Sequence, residues 1–324
     1  MANRLKMKYN GLKILIKRVL SSSALLLLVV SLVFLIIRIA PGNPANKFLS
    51  PDLSPKLFEK IQERYAFDGS LPEQYFKFVE NIFSGNLGYS ITFKIPVTEV
   101  IFQFLSLTVI LAIAAFITQT LISVILVFLT YRNKSVNNKI QKLSLIIYTV
   151  PSYVIGLYLV IIFSVLLGIM PISGLPDAQS AGILDYFHHL MLPVVTLSLP
   201  GIALFFSYLN DAVQKNKNEG YVLLFRSIGM SEKKIFLKHI LPNSIVPLLS
   251  IVAIEVGFLL SGSLIVEVLY SLPGFGKLTF TAFMDRDYPL IIGTTLFTAF
   301  VMIFSNMAAD LIKYYFDKRF RELI

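Results

Sequence analysis

The chain contains no cysteine among its 324 residues. That excludes a disulfide framework, Cys-ligated zinc, an iron–sulfur cluster and a thiol nucleophile. Only three histidines are present, His188, His189 and His239, too few for a histidine-rich metal site, and no metal or other cofactor is expected in the chain. Charge is scarce, at 15% of residues, and no acidic residue occurs before Asp52. No constellation of carboxylates, histidine and serine suggests catalysis, so an enzyme is not expected. A phosphate loop is missing as well. Gly274-Phe275-Gly276-Lys277 carries its glycine-lysine pair, but Ser271 stands where the first glycine belongs and Leu278 where a magnesium-binding hydroxyl is required. Any ATP and magnesium must therefore be used by a partner.

What is abundant is apolar sequence. Hydrophobic residues make up 56% of the chain and the mean hydropathy is +0.73, outside the range of ordinary soluble domains. A bilayer core about 30 Å thick needs about 20 apolar residues per helix. Uncharged runs of that order cover 19–37, 100–131, 143–176, 190–210 and 288–309, and a sixth, 244–266, is interrupted only by Glu255. These predict an all-α, polytopic bundle of six transmembrane helices. The first run exceeds the apolar region of a signal peptide, and no small-residue cleavage site follows it, so it reads as an uncleaved helix over 19–40. The pI near 9.5 does not point to nucleic acid, because the basic residues are not gathered on one soluble module.

Their placement instead gives an orientation. Segments 1–18, 131–142, 211–240 and 310–324 together hold 20 basic and 6 acidic residues, whereas 41–99, 169–189 and 271–289 hold 8 basic and 11 acidic. The positive-inside rule puts the first set, and both termini, in the cytoplasm. The expected organisation is a basic tail 1–18, a first span 19–40, an external subdomain 41–99, a core 100–312 with five spans and an internal loop 211–243, and a tail 313–324. Within the external subdomain, Ser54-Pro55 opens one short helix with Leu57, Phe58, Ile61 and Tyr65 on a face. Leu71-Pro72 opens another, with Tyr75, Phe76, Val79, Ile82 and Phe83 on a stripe. They lie either on the membrane surface or against the bundle as part of a docking surface.

The internal loop runs from Glu219-Gly220 through Arg226-Ser227-Ile228-Gly229-Met230-Ser231 to Leu241-Pro242. A short helix ended by Gly229 and a second helix capped by Ser231 are expected, forming a knuckle able to sit in another protein's groove.

Gly229 and the proline thirteen residues later resemble the signature loop of inner-membrane permeases of ATP-binding-cassette importers, of the dipeptide, oligopeptide and nickel group. Arg226-Ser227-Ile228-Gly229 stands where that group usually has Arg-Ala-Lys-Gly; Leu223, Leu224, Phe225 and His239 depart from its pattern. Further motifs resemble the group in order along the chain: Ala40-Pro41-Gly42-Asn43-Pro44, Gly85-Asn86-Leu87-Gly88-Tyr89-Ser90, Pro151-Ser152-Tyr153, Pro171-Ile172-Ser173-Gly174, Leu260 to Glu267 with Ser271-Leu272-Pro273-Gly274-Phe275-Gly276, and Asp285-Arg286-Asp287-Tyr288-Pro289.

The resemblance implies a type I importer permease that translocates peptides or a related small solute such as nickel or a metallophore. It implies a second homologous permease subunit, two cytoplasmic ATP-binding subunits that grip the knuckle, and an external solute-binding protein, all around a lipid-embedded core. Glu219, Arg226, Gly229, Ser231, Leu241 and Pro242 are then the coupling residues.

Glu255, Glu267, Pro273, Gly274 and Gly276 are candidates for the translocation path or its gate. A charge in mid-span costs roughly 2.5–3.5 kcal/mol on insertion scales. Glu255 is therefore either a path-lining residue or a protonated or paired glutamate at a subunit interface. Glu267 with its glycine turn either closes an external gate or is purely structural. The rival class is an ion-coupled secondary transporter, which predicts inverted repeats and several midplane charges; neither is visible.

Overall fold

The computed structural model describes residues 2–39, 69–177 and 182–316. The described residues form helices joined by short turns. They are α1 (Ala2–Ile39), α2 (Leu71–Phe83), α3 (Val97–Thr130), α4 (Lys134–Thr149), α5 (Ser152–Leu159, continued as the π-helical Val160–Leu166) and α6 (Ile183–Asn216). There follow α7 (Gly220–Ser227), α8 (Glu232–Ile235, continued through the π-helical Phe236–Ile240 and Leu241–Ile245), α9 (Leu249–Leu269), α10 (Phe275–Met284) and α11 (Tyr288–Phe316). The expected helix opened by Ser54-Pro55 lies outside the described residues, as does the Ala40–Pro44 motif.

Among the described residues four helices, α1, α3, α6 and α11, are long and apolar enough to cross a membrane, and α4 with α5 makes a fifth crossing if that bent pair is one span. The third apolar run, 143–176, therefore forms a bent pair and not one continuous helix. The axis turns by 99° between Thr149 and Ser152. Pro151 cannot donate a helical hydrogen bond and forces the residue before it out of the α region, and Val150 is accordingly extended. Pro193 and Pro200 behave differently and remain inside α6. Two boundaries also move: α1 is continuous from the basic tail into the span, and α6 begins at Ile183, well before Leu190.

The helices pack in two main layers. At one end Val127 and Tyr131 of α3, Phe205, Phe206, Leu209 and Val213 of α6, and Ile235, Phe236 and Ile240 of α8 form a closed apolar core. Toward the other end Leu111 and Ala115 meet Leu192, Leu259, Val266 and Tyr270. By contrast α1 buries little beyond Val30, and Leu20, Leu28, Leu32 and Ile36 stay exposed. Lipid is as apolar as leucine, so such a face is stable only in a membrane.

Helix α2 packs on this bundle through Phe78, against Val30 of α1 and Ile292 and Leu296 of α11. Its Ser70 N-cap and Glu73 form a capping box. The buried stripe is centred on Phe78 with Val79 and Ile82. Phe76, expected on that stripe, is 70% exposed, and Phe83 is exposed as well.

Candidate functional site

The loop between α6 and α9 folds as the expected knuckle. Helix α7 ends in a Schellman motif: the Gly229 N–H donates to the Arg226 carbonyl at 3.0 Å and the Met230 N–H to the Phe225 carbonyl at 3.0 Å. This geometry needs a left-handed residue, and Gly229 supplies it with φ +76°. An added Cβ there would meet nothing within 4 Å, so the demand for glycine is conformational and not steric. Ser231 occupies the N-cap position of α8 with an extended backbone, but its side chain makes no cap hydrogen bond. The hydroxyl expected to cap is thus not used; the Ile235 N–H bonds the Ser231 carbonyl instead.

Glu232, missed in the sequence because it looks like an ordinary first-turn acid, ties the hairpin together. It accepts from the Tyr131 hydroxyl at 2.6 Å and from Arg226 Nε at 2.9 Å. Burial raises its carboxyl, but these donors and the Arg226 and Arg132 charges pull it lower, leaving it below the ordinary value. Burial, with the adjoining carboxylate, pushes the Tyr131 hydroxyl up to about 12. The Tyr131 carbonyl in turn accepts from Lys217 Nζ at 3.0 Å, whose own pKa falls through burial and the Arg226 and Lys134 charges. The Phe225 ring stacks on His239 at 4.0 Å. Leu241 packs partly on the core, while Pro242, which lacks an N–H, follows directly on the π-helical turn and stays exposed. Outward, the knuckle presents Leu223, Leu224 and Ile228 beside Lys233, Lys234 and Lys238, all exposed, with Glu219 exposed at the start of α7.

At the opposite end of the bundle the structure brings Glu267, Gly274 and Gly276 together. Glu267 is fully buried on α9. Its carboxylate accepts from Thr108 Oγ1 at 2.6 Å and from the Lys277 N–H at 3.0 Å, and Thr108 Oγ1 in turn accepts from the Phe275 N–H at 2.8 Å. A carboxyl group thus sits on the N-terminus of α10, satisfying amides that the helix leaves unpaired. The protein's own carboxylate occupies the place that a phosphate would take in a true phosphate loop. A Cβ on Gly274 would stand 2.4 Å from that carboxylate, and one on Gly276 2.4 Å from the Leu264 Cα. The turn between Glu267 and Gly274 uses a positive φ at Ser271 and leaves Pro273 exposed.

Two further junctions close this end. Asp287, buried ahead of α11, accepts from Ser90 Oγ and from the Thr92 N–H at 3.0 Å. The Gly174 N–H donates to the Tyr270 carbonyl at 2.7 Å, and the Tyr270 hydroxyl lies 2.9 Å from Thr196 Oγ1. Motifs far apart in sequence therefore meet as hydrogen-bonded pairs.

Glu255 belongs to neither cluster. It is 8% exposed on α9, beside Gln119 of α3 and Gly201 of α6. Gln119 and Thr108 were both missed by reading the sequence, because a lone polar residue in an apolar run has no periodic signal. His188 donates to the Ile169 carbonyl at 2.7 Å and His189 bonds the Asp185 carbonyl at 2.8 Å. Among the described residues no three His, Cys, Asp or Glu side chains gather as a metal site.

The family of inner membrane components of binding-protein-dependent transport systems matches residues 119–322, and the N-terminal part of such membrane components matches residues 11–112. The oligopeptide transport system permease protein AppB of Bacillus subtilis is 30% identical over 94% of this chain and 98% of its own length. The dipeptide transport system permease protein DppB of Lactococcus lactis is 29% identical over 95% and 99%. The glutathione transport system permease protein GsiC of Shigella flexneri is 27% identical over 93% and 96%.

Proposed function

The chain belongs to the inner membrane components of binding-protein-dependent transport systems and is a permease, not an enzyme; from that premise we propose that it imports peptides and that residues 220–245 are its ATPase-coupling element. The similar permeases are named for oligopeptide, dipeptide and glutathione transport, which favours a peptide over nickel or a metallophore. An ion-coupled carrier has no support among them.

The observation that carries the coupling role is the build of the hairpin. It is fastened through Ile235, Phe236 and Glu232 to α3 and α6, and it leaves an apolar tip of Leu223, Leu224 and Ile228 facing away from the core. A force applied to that tip is transmitted to two long helices, because the core between them is close-packed. In this reading the hairpin and both termini are cytoplasmic. The chain crosses the membrane six times: α1, α3, the α4–α5 pair, α6, α9 and α11. A second homologous permease completes the path, two ATP-binding subunits hydrolyse ATP with magnesium, and an external binding protein delivers the peptide. Glu267, Pro273, Gly274 and Gly276 act as a latch that holds the external end closed, with Glu267 as its pin.

Gly229→Val tests the coupling role. A β-branched residue at φ +76° is strained by about 1–2 kcal/mol, and the bilayer spans are untouched. The variant should insert normally, recover little ATPase in a pull-down and fail in peptide uptake, while Gly229→Asn, which tolerates the left-handed region, should retain both. Wild-type ATPase recovery and uptake with the valine variant would overturn the assignment.

A further inference from the structure

Helix α2 carries three stripes, and packing on the bundle accounts for only one. Gln74, Phe78 and Asn81 are its buried residues. Glu73, Lys77 and Glu80 form an exposed charged stripe at helical spacing, with Lys77 and Glu80 paired at 3.0 Å. On the remaining side Pro72, Phe76, Val79 and Phe83 recur at the same spacing. Phe76 is 70% and Phe83 60% exposed, and Pro72 is exposed between the two stripes' N-terminal turns. Two bare phenylalanine rings on one stripe are unfavourable in water, in proportion to the apolar area left wet.

The direction and level of α2 identify what covers that stripe. Its polar and aromatic contacts with α1 fall within one turn of each helix. The Phe34 ring lies 5.4 Å from that of Tyr75 and 5.5 Å from that of Phe78, and Ser31 Oγ lies 2.7 Å from the Tyr75 hydroxyl. Helices that meet over a single turn cross each other and do not run side by side. Because α1 crosses the bilayer, α2 lies across it, near the membrane plane.

Its depth follows from the same contacts. Ser31 and Phe34 lie inside the apolar span of α1 that ends at Ile36, and Ile292 and Leu296, which pack with Phe78, lie inside the span that begins at Tyr288. At about 1.5 Å per residue these contacts sit roughly 3–12 Å below the ends of the two spans. An interfacial helix buries its apolar face to a similar depth, about 5–10 Å into the boundary between headgroups and acyl chains. The stripe is also continuous with a lipid-facing surface. Its half-buried member, Val79, packs in one cluster with Val30 of α1, whose neighbours Leu28, Leu32 and Ile36 are exposed.

We propose that α2 is a lipid-anchoring helix and that the partner of its apolar stripe is the bilayer itself. Phe76 and Phe83 enter the acyl chains of the leaflet reached by the C-terminal end of α1, while Glu73, Lys77 and Glu80 face the headgroup water. The helix thus packs on the bundle and lies in the membrane surface at once. In the topology proposed above that leaflet is the outer one, but the depth of α2 does not depend on the side.

The absence of cysteine permits a direct test. Phe76→Cys, Phe83→Cys, Lys77→Cys and Leu32→Cys are made singly, each at an exposed side chain, so that no change opens the core. The thiol is labelled with bimane in the complete transporter, its other subunits free of cysteine, in phosphatidylcholine vesicles. Fluorescence is quenched either by a phosphatidylcholine carrying a nitroxide near the head of its acyl chain or by iodide on both sides of the membrane.

Lipid quenching at positions 76 and 83 should match that at 32 and exceed that at 77 by at least about threefold, with iodide giving the reverse order. Adding the binding protein should leave the lipid quenching unchanged. Iodide reaching 76 and 83 as readily as 77 would place the stripe in water and overturn the proposal. Quenching by neither agent would show that protein covers the stripe, which overturns it as well. Lipid quenching that is lost when the binding protein is added would assign the stripe to that partner instead.

Discussion

Glu255 and Glu267 lie on one helix, both buried, and both face α3, yet their surroundings differ in kind. Around Glu267 donors are supplied in full: Thr108 and a helix N-terminus bind the carboxylate, and two glycines let the backbone close over it. Around Glu255 the one neighbouring side-chain donor is the Gln119 amide, which lies in the space that Gly201 leaves by lacking a Cβ. A carboxylate with every donor in place is held in one geometry and stiffens what it joins. The same residue type on the same helix is thus held by several donors near the C-terminal end of α9 and by a single amide further in.

The glycines give the largest expected effects and the sharpest way to break this contrast. Gly276→Ala places a Cβ 2.4 Å from the Leu264 Cα and 2.7 Å from its nitrogen. Backbone cannot step aside, so α9 and α10 must separate, at the upper end of the overpacking cost, about 3 kcal/mol. Thermal unfolding in detergent should show a large loss of stability, with poor recovery of folded protein. Gly201→Ala makes an even closer approach, 1.8 Å, but to the far end of the Gln119 side chain, which can rotate. Folded yield should stay near that of the unaltered chain while uptake falls. Similar stability losses in both variants would show that the two levels are equally rigid.

Neutralising the carboxylates is the next test, with a smaller effect. Glu267→Gln keeps the shape but replaces one acceptor oxygen with a donor facing Thr108 or the Lys277 amide. A cost of about 1–3 kcal/mol follows from the mispaired buried groups. The midpoint of thermal unfolding should drop. Glu255→Gln disturbs only one donor, the Gln119 amide, and should move that midpoint less, by about 1 kcal/mol equivalent, and alter uptake instead. A collapse of yield with Glu255→Gln, accompanied by normal uptake from the remaining complex, would assign Glu255 to assembly.

Much of the architecture was legible in the sequence because lipid imposes a simple rule: long uncharged runs become helices. The runs that form α1, α3, α6 and α11 stood out, and the hairpin was marked by Gly229, whose left-handed turn leaves few alternatives. The bend at Pro151 was harder, since Pro193 and Pro200 look the same in the sequence and stay helical. What separates them is tertiary packing, which a run of residues does not state.

The candidate site was legible only in part. Glu255 and Glu267 were conspicuous as charges, but Thr108, Gln119 and Tyr131 carry no charge or period to mark them, and their roles appear only when α3 is laid against α9 and α8. The motifs at the Glu267 end were visible as strings; that Ser90 meets Asp287, and Gly174 meets Tyr270, is a fact of the fold alone.

The smallest expected effect lies at the hairpin end, where a third carboxylate extends the comparison to the surface. Glu232 has both a hydroxyl and a guanidinium donor, as Glu267 has its own full set, but its side chain is 28% exposed and that of Arg226 33%. Water and salt therefore screen the pair, and Glu232→Gln should cost only about 0.5–1 kcal/mol. The folded pKa of Glu232 lies below its ordinary value, so its contribution is complete above the unfolded carboxylate pKa, about 4.3, and disappears as pH falls through the folded value. Tyr131, raised to about 12, contributes in the opposite sense: its share is complete below the unfolded phenol pKa of about 10 and is lost as pH rises through the folded one. Between roughly pH 5 and 9 these two groups should therefore add no pH dependence to the hairpin. Amide hydrogen exchange at Ile235 and Phe236 measures this, once corrected for the intrinsic pH dependence of exchange. Glu232→Gln should speed exchange there by about two- to fivefold at neutral pH, equivalent to that same energy through RT, and acid should produce a similar increase in the unaltered chain. Exchange unchanged by either would mean that the apolar anchor of Ile235 and Phe236 fixes the hairpin alone, and that a fully satisfied carboxylate stiffens its surroundings only when it is also buried.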